Sequence, residues 1–287
     1  MKKLSNSSIV WLLAILSILL VQFVAAIFIV AFQESQTIIT YITMMAIQLL
    51  NVLIVFVATK KREYLSCYKI AKVSVKNIVL SVLLGVATIV GMFLIAQYVH
   101  EFFVSLGVKA SEIDISGGYV ILAILSTVIL APIGEELVFR YVLCDALENR
   151  SKALAVVLSA LAFAFMHMSP MQTVYQFALG CVLALVVIKS GNVVYAMITH
   201  ATSNLVIIIL SLFTLPAIPT NNPLTLVLAI VLFVFALLVI ILMLSKMSGS
   251  ASDRACVKYE KEEKVTASIV YAIGFAVCLV MWIANFF

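Results

Sequence analysis

Apolar stretches long enough to cross a lipid bilayer recur along the whole chain, and they limit its fold more than any other feature. Of the 287 residues, 65% are hydrophobic and only 11% are charged. A helix needs about 20 apolar residues to cross the roughly 30 Å hydrocarbon core of a bilayer. Only helices or closed barrels satisfy their backbone polar groups there. Barrel strands alternate apolar and polar residues and these stretches do not, so we predict an all-α polytopic bundle of transmembrane helices.

The sequence predicts nine spans within a single integral membrane domain that covers residues 1–287. The expected bounds are about 9–32, 37–59, 77–104, 119–149, 152–168, 171–189, 193–213, 224–245 and 266–287. The first stretch is too long for the apolar part of a signal peptide, so we interpret it as a transmembrane helix. Eight spans are the alternative, if the fifth and sixth stretches form a shallow or re-entrant pair.

Charged residues between the spans predict the orientation of the bundle. With a cytoplasmic N-terminus, the basic residues of loops 60–76 and 246–264 and of the turns at Arg150 and Lys189 all lie inside. The loops on the opposite side contain a single lysine, Lys109. Positive charge accumulates in cytoplasmic loops, so the net charge of +5 indicates membrane topology and no nucleic-acid partner. Short loops without targeting signals favour a bacterial plasma membrane.

Six strongly polar side chains interrupt the apolar stretches of three spans. They are Glu135, Glu136 and Arg140 on the fourth span, His167 on the fifth, and His200 and Asn204 on the seventh. An ionisable residue in the bilayer core costs at least about 2.5–3.5 kcal/mol on insertion scales. Glu135 and His167 both lie roughly 21–22 Å from the cytoplasmic ends of their helices, at about 1.5 Å per residue. We interpret the set as one functional site; a structural ion-paired cluster is the alternative.

Helical spacing on the fourth span indicates different roles for its two glutamates. Glu136 and Arg140 are four residues apart, so their side chains can pair on one face. Glu135 points about 100° away and is the freer carboxylate, which suits a general base. Pro132 removes a backbone donor one turn earlier and is expected to kink the helix there.

The polar residues form three short motifs whose members are separated by three residues. The motifs are Glu135-Glu136-x-x-x-Arg140, Phe163-x-x-x-His167 and His200-x-x-x-Asn204. In order, spacing and placement on successive membrane helices, they resemble the CAAX-protease and bacteriocin-processing family (CPBP, or Abi) of intramembrane proteases. The resemblance covers a motif core at 119–213, and the other spans match only as generic membrane helices.

The resemblance implies an intramembrane endopeptidase that cleaves a membrane-associated peptide or lipidated peptide. In such an enzyme Glu135 and His167 would activate a water, while His200 and Asn204 would form the oxyanion site. Donors of this kind stabilise charge that develops in the transition state. Metal dependence is described both ways for the family.

The same residues are also compatible with a metal site. Two histidines and a carboxylate are plausible zinc ligands with a free position for water, and the candidates are Glu135, His167 and His200. The chain contains no HExxH motif, the usual two-histidine zinc motif of metalloproteases. The sequence therefore predicts either a zinc enzyme or one without a cofactor.

Two functions of other classes are compatible with the same helices. One is a non-catalytic membrane scaffold or bacteriocin-immunity protein that uses the polar cluster for stability or partner binding. The other is a transporter, in which charges near the midplane line a pathway. Two features argue against a transporter. The sequence shows no inverted repeat, and only one span carries charged residues.

Overall fold

The computed structural model describes residues 3–32, 36–60, 68, 70–109, 115–213, 218–249 and 261–287. These residues form nine helices: α1 (Lys3–Ala31), α2 (Gln36–Lys60), α3 (Val75–Ser105), α4 (Tyr119–Glu148), α5 (Lys152–Met166), α6 (Pro170–Ser190), α7 (Val193–Leu212), α8 (Pro223–Lys246) and α9 (Lys261–Ile283). A short 3-10 turn, Ala284–Phe286, follows α9. The predicted all-α fold is confirmed, and most predicted helix ends lie within three residues of the observed ones. Several basic loop residues that predict the orientation, Lys61, Arg62, Lys69, Arg254 and Lys258, lie outside the described residues.

Eight of these helices are long and apolar enough to cross a membrane. The exception is α5, whose 15 residues extend about 22 Å at 1.5 Å per residue. It packs along α6 as a helical hairpin, and the turn between them contains Met168 with a positive φ of 50°. The protein is therefore an integral membrane helical bundle with eight helices of spanning length, and α5 is a shorter ninth helix inside it.

Helix α1 begins at Lys3, six residues before the predicted start, because contacts with α9 stabilise its polar first turns. The backbone N–H of Leu4 donates to Oε1 of Glu263 at 2.8 Å. The hydroxyl of Ser7 donates to the Leu4 carbonyl at 2.7 Å and shares a hydrogen bond with the Tyr271 hydroxyl at 2.6 Å. These polar groups are satisfied by a distant helix, which the local sequence does not reveal.

One end of the bundle, called the basic end here, holds the N-terminus and the connections α2–α3, α4–α5, α6–α7 and α8–α9. Polar side chains link these segments. Asn192 Nδ2 donates to the Ala71 carbonyl at 3.2 Å, and Asn77 Nδ2 donates to the Ser248 carbonyl at 2.7 Å. These bonds join three connections at one end, which agrees with the alternating helix directions predicted from the sequence.

The opposite end, called the aromatic end here, is held by large rings. Phe103 lies edge-on to Trp282, with ring centroids 5.7 Å apart, and contacts Phe286 at 6.1 Å. The Trp282 indole N–H donates to Thr173 Oγ1 at 2.8 Å. Trp rings of this kind are enriched at membrane–water interfaces.

Helix α4 continues through Pro132 but changes its hydrogen bonding on both sides of the glutamates. Wide π-helical turns occupy Ile124–Leu130 and Leu137–Cys144, and an α-helical segment, Ala131–Glu136, lies between them. The Ala131 N–H donates to the carbonyl of Ser126, five residues back. Single π-helical turns inside α-helices are frequent at functional sites. The predicted disturbance at Pro132 therefore coincides with a register change of the backbone.

Candidate active site

The Glu136 carboxylate lies at the centre of the polar cluster and is completely buried. Its Oε1 accepts a hydrogen bond from Arg140 Nη1 at 3.0 Å, so the predicted pair on one helix face is present. The same oxygen lies 2.9 Å from His200 Nδ1. A carboxylate that pairs with arginine can only accept, which places a proton on Nδ1 of His200. Glu136 thus joins α4 to α7.

The Arg140 guanidinium, also fully buried, binds groups from two further helices. Its Nη2 donates to the Gly180 carbonyl of α6 at 3.2 Å, and its Cζ lies 4.4 Å from the Phe163 ring centroid of α5. A cation over an aromatic face is stabilised by the ring quadrupole. Arg140 therefore ties α4 to the α5–α6 hairpin as well as pairing with Glu136.

The Glu135 carboxylate points to different partners. Its Oε1 accepts from Gln48 Nε2 on α2 at 2.8 Å. Its Oε2 lies 3.9 Å from His200 Nε2, which is beyond hydrogen-bond distance. The side chain keeps 9% of its surface exposed, whereas Glu136 has none. As predicted, Glu135 is the freer of the two carboxylates.

His167 is the first residue after the end of α5, and its ring is fixed from within its own helix. Nδ1 lies 2.8 Å from the Phe163 carbonyl, which can only accept, so this nitrogen carries a proton. The Phe163 ring packs against both histidine rings, with centroid distances of 4.9 Å to His167 and 5.5 Å to His200. Glu135 also lies within electrostatic range of His167. Both histidines therefore have Nδ1 engaged, and the Nε2 of His200 faces Glu135.

Asn204 lies one turn after His200 on α7, and its side chain supports the backbone of α4. Its Nδ2 donates to the Thr127 carbonyl at 2.6 Å. In the π-helical register this carbonyl would accept from residue 132, which is a proline without an N–H. Asn204 thus supplies the donor that Pro132 lacks, and its amide has a second N–H.

Helix α2 also contributes to the site, a contribution that the sequence motifs did not predict. Asn51 Nδ2 donates to Gln48 Oε1 at 3.2 Å, so two buried amides lead from α2 to Glu135. A Cβ atom on Gly134 would lie 2.9 Å from the Gln48 backbone carbonyl oxygen, so glycine permits this approach. The available signal was the pair of amides three residues apart inside the apolar stretch 37–59.

Among the described residues, no three His, Cys, Asp or Glu side chains form a group that could hold a metal ion. The zinc candidates Glu135, His167 and His200 are therefore close neighbours without the arrangement of a preformed ligand set.

The comparison with known families bears directly on this cluster. Residues 117–206 match the Rce1-like family of type II CAAX prenyl endopeptidases. This Rce1-like segment is about a third of the chain, contains all six polar residues, and confirms the resemblance stated from the three motifs. It supports a CAAX-type intramembrane protease at the level of the family. No curated protein and no solved structure gives a match.

Proposed function

We propose that the protein is an intramembrane endopeptidase that hydrolyses a membrane-associated peptide with a water activated by Glu135 and His167. The observation that carries the proposal is the position of Glu135. One of its oxygens is bound by Gln48, and the other lies beyond hydrogen-bond distance from His200. A general base must be able to accept a proton from its water. Glu135 retains exposed surface for such a water, whereas Glu136 Oε2, which also lacks a hydrogen-bond partner among the described residues, is completely buried.

In the proposed reaction, Glu135 takes a proton from a water that His167 orients, and the resulting hydroxide attacks the peptide carbonyl carbon. The carbonyl oxygen becomes an oxyanion. His200, protonated at Nε2, and the second N–H of Asn204 donate to this oxygen. Glu135 then gives its proton to the leaving amine as the C–N bond breaks. Glu135 thus changes from its ionised to its protonated form and back within one catalytic cycle.

Glu136 and Arg140 act as positioning residues in this scheme. Glu136 holds Nδ1 of His200 at 2.9 Å, which directs Nε2 towards Glu135. Arg140 balances the charge of Glu136 and fixes it to α6. Neither residue has to touch the substrate.

The family match and the membrane location support a proposal for the substrate class. The matched family is described as prenyl endopeptidases, and we propose a peptide or lipidated peptide as substrate here. With a cytoplasmic N-terminus in a bacterial plasma membrane, the expected substrate is a secreted peptide precursor. Peptides that accumulate uncut in a deletion strain, identified by mass spectrometry, would reveal it.

The decisive experiment compares Glu135→Gln with Glu262→Gln, an exposed glutamate at the start of α9 and outside the cluster. Complementation of the deletion strain by each variant, at equal expression, is measured as processed peptide. We expect processing to be lost in Glu135→Gln and kept in Glu262→Gln. Processing by Glu135→Gln at the wild-type level would instead favour the non-catalytic scaffold.

Metal analysis separates the water mechanism from a zinc enzyme. In the proposed mechanism the purified protein hydrolyses peptide after chelation, and His200→Ala lowers the rate without loss of a metal. A stoichiometric metal that is absent from His200→Ala but present in Asn204→Ala would overturn the oxyanion assignment.

A further inference from the structure

A cavity of about 510 Å³ lies between α3, α6 and α7, beside the polar cluster. Its volume is in the range of ligand-binding pockets, roughly 300–1,000 Å³. Most of the wall is apolar. It includes the side chains of Phe93, Ala96, Gln97, His100, Tyr175 and Leu210. A cavity with such an apolar lining favours an apolar ligand.

Tyr175 connects the cavity to the proposed base. Its ring lines the cavity, and its hydroxyl accepts a hydrogen bond from Gln176 Nε2 at 2.9 Å. The phenol also lies within electrostatic range of Glu135. Tyr175 therefore lies on the side of the cavity that faces the polar cluster.

The cavity belongs to the aromatic end of the bundle. His100, which lines it, and the exposed Glu101 lie in the last turns of α3, next to the Phe103 ring cluster. Glu101 accepts a hydrogen bond from Thr220, just before α8. The cavity thus lies towards the end opposite to the N-terminus.

The charge distribution assigns this end to the extracytoplasmic side. Of the 18 Lys and Arg residues, Lys109 belongs to a connection at the aromatic end and Arg140 lies inside the bundle. The other Lys and Arg residues that the structure describes are at the basic end, and the remaining ones belong by sequence to the N-terminus or to the α2–α3 and α8–α9 connections. Lys and Arg mark cytoplasmic loops, so the aromatic end faces away from the cytoplasm.

One wall residue lacks a partner that a peptide could supply. The Oε1 atom of Gln97 is buried and has no hydrogen-bond partner in the part of the chain that the structure describes. Buried amide oxygens are nearly always bonded. With a turn of the side chain, the backbone N–H of a bound peptide would satisfy it.

From these observations we infer that the cavity receives an apolar peptide segment that enters from the extracytoplasmic end and carries a basic residue at the mouth, opposite Glu101. The inference rests on the proposed protease function and specifies its substrate: a peptide already translocated, with large apolar side chains next to Lys or Arg. The apolar walls select the segment, Gln97 binds its backbone, and Glu101 selects the basic residue.

Thiol labelling tests the side of entry without any need for activity. Two single-cysteine variants are made in a cysteine-free background. Ser211→Cys places the thiol at the cavity, and Ser151→Cys places it in the turn between α4 and α5 at the basic end. A membrane-impermeant maleimide applied to intact spheroplasts should label Ser211→Cys and should label Ser151→Cys only after lysis. The reverse pattern would overturn the inference.

Peptide binding tests the occupant, and it is measured on Glu135→Gln so that cleavage does not interfere. The probes are two fluorescent peptides that share a Leu- and Phe-rich segment and differ only in a flanking Lys or Glu. We expect the Lys peptide to bind more tightly, and Glu101→Lys to remove that preference, a change of about two- to fivefold as for other exposed ion pairs. Failure of both peptides to bind would refute the inference.

A matched pair on α7 locates the binding. Leu210→Trp fills the cavity and should weaken binding of both peptides at least tenfold, whereas Ile209→Trp, on the exposed face, should leave it unchanged. If Leu210→Trp lowers the unfolding temperature, Ala96→Met replaces it. Unchanged affinity in the folded cavity variants would overturn the inference, whereas tight binding by an enzyme that cleaves nothing would refute only the protease function.

Discussion

The polar cluster has two halves that differ in burial and in bonding. The inner half, Glu136, Arg140 and His200, forms a hydrogen-bonded network with almost no exposed surface. In the outer half, Glu135 Oε2 makes no hydrogen bond to His200, and the His167 side chain is partly exposed. Charges in the interior persist when they are paired, but a group that must accept a proton from water needs an open position. The cluster thus has a fully buried half and a more open half, and the proposed general base, Glu135, belongs to the open one.

Close helix packing makes the inner half possible. A Cβ atom on Gly180 would lie 2.9 Å from Cα of Ala160, so α5 and α6 approach each other through small residues, as membrane helices often do. The Gly180 carbonyl then accepts from Arg140. The outer half depends instead on α2 and on the turn at His167.

The largest expected effect is on the outer half. Glu135→Gln should lower kcat by about 10²–10⁴, the usual contribution of a general base, while the detergent unfolding temperature stays near that of the wild type. Glu136→Gln should lower the unfolding temperature more than Glu135→Gln does. Equal losses of stability in the two variants would erase the distinction between the halves.

Removal of Arg140 should break the inner half. Arg140→Met leaves Glu136 buried without its cation, a change that costs about 3–5 kcal/mol, measured as the free energy of unfolding in detergent. Arg150→Met, in an exposed turn, is the control and should be nearly neutral. The double variant Glu136→Gln/Arg140→Met should recover part of the loss, and no recovery would argue against the pairing as the cause.

Asn204 has a structural contact with α4 and a proposed catalytic role, and a double variant separates the two. Asn204→Ala should lower kcat by about 10²–10³ with little change in KM, as the loss of an oxyanion donor does. It also leaves the Thr127 carbonyl unpaired, which costs about 1–3 kcal/mol of stability. Pro132→Ala supplies a backbone N–H for that carbonyl. In Asn204→Ala/Pro132→Ala, stability should return and kcat should not; return of both would make Asn204 purely structural.

The smallest expected effect concerns the support of Glu135 by α2. Gln48→Leu removes a hydrogen bond to a charged group, worth about 1.5–3 kcal/mol, so kcat should fall at least tenfold with KM nearly constant. Asn51→Leu, on the same helix but without direct contact to Glu135, should have a weaker effect. A larger defect in Asn51→Leu would show that the amides act through packing.

Local patterns allowed much of the molecule to be predicted. The helices follow from apolar length, and the Glu136–Arg140 pair follows from a separation of four residues on one helix. The order of the three motifs placed six polar residues together, and the structure brings them into one cluster. Helix α5 is shorter than predicted because His167 and Met168 already belong to the turn, where Met168 adopts a positive φ.

The amino-acid sequence by itself determined the membrane class, the helix order and the identity of the polar residues, because hydropathy and helical spacing are local properties. Only the tertiary structure decided which groups meet: Gln48 with Glu135, Asn204 with the carbonyl that Pro132 leaves open, and Glu263 with the first turn of α1. Each of these contacts joins residues more than 70 positions apart in the chain. Their pairing depends on how the helices rotate and pack against one another, and no periodicity along the sequence encodes that.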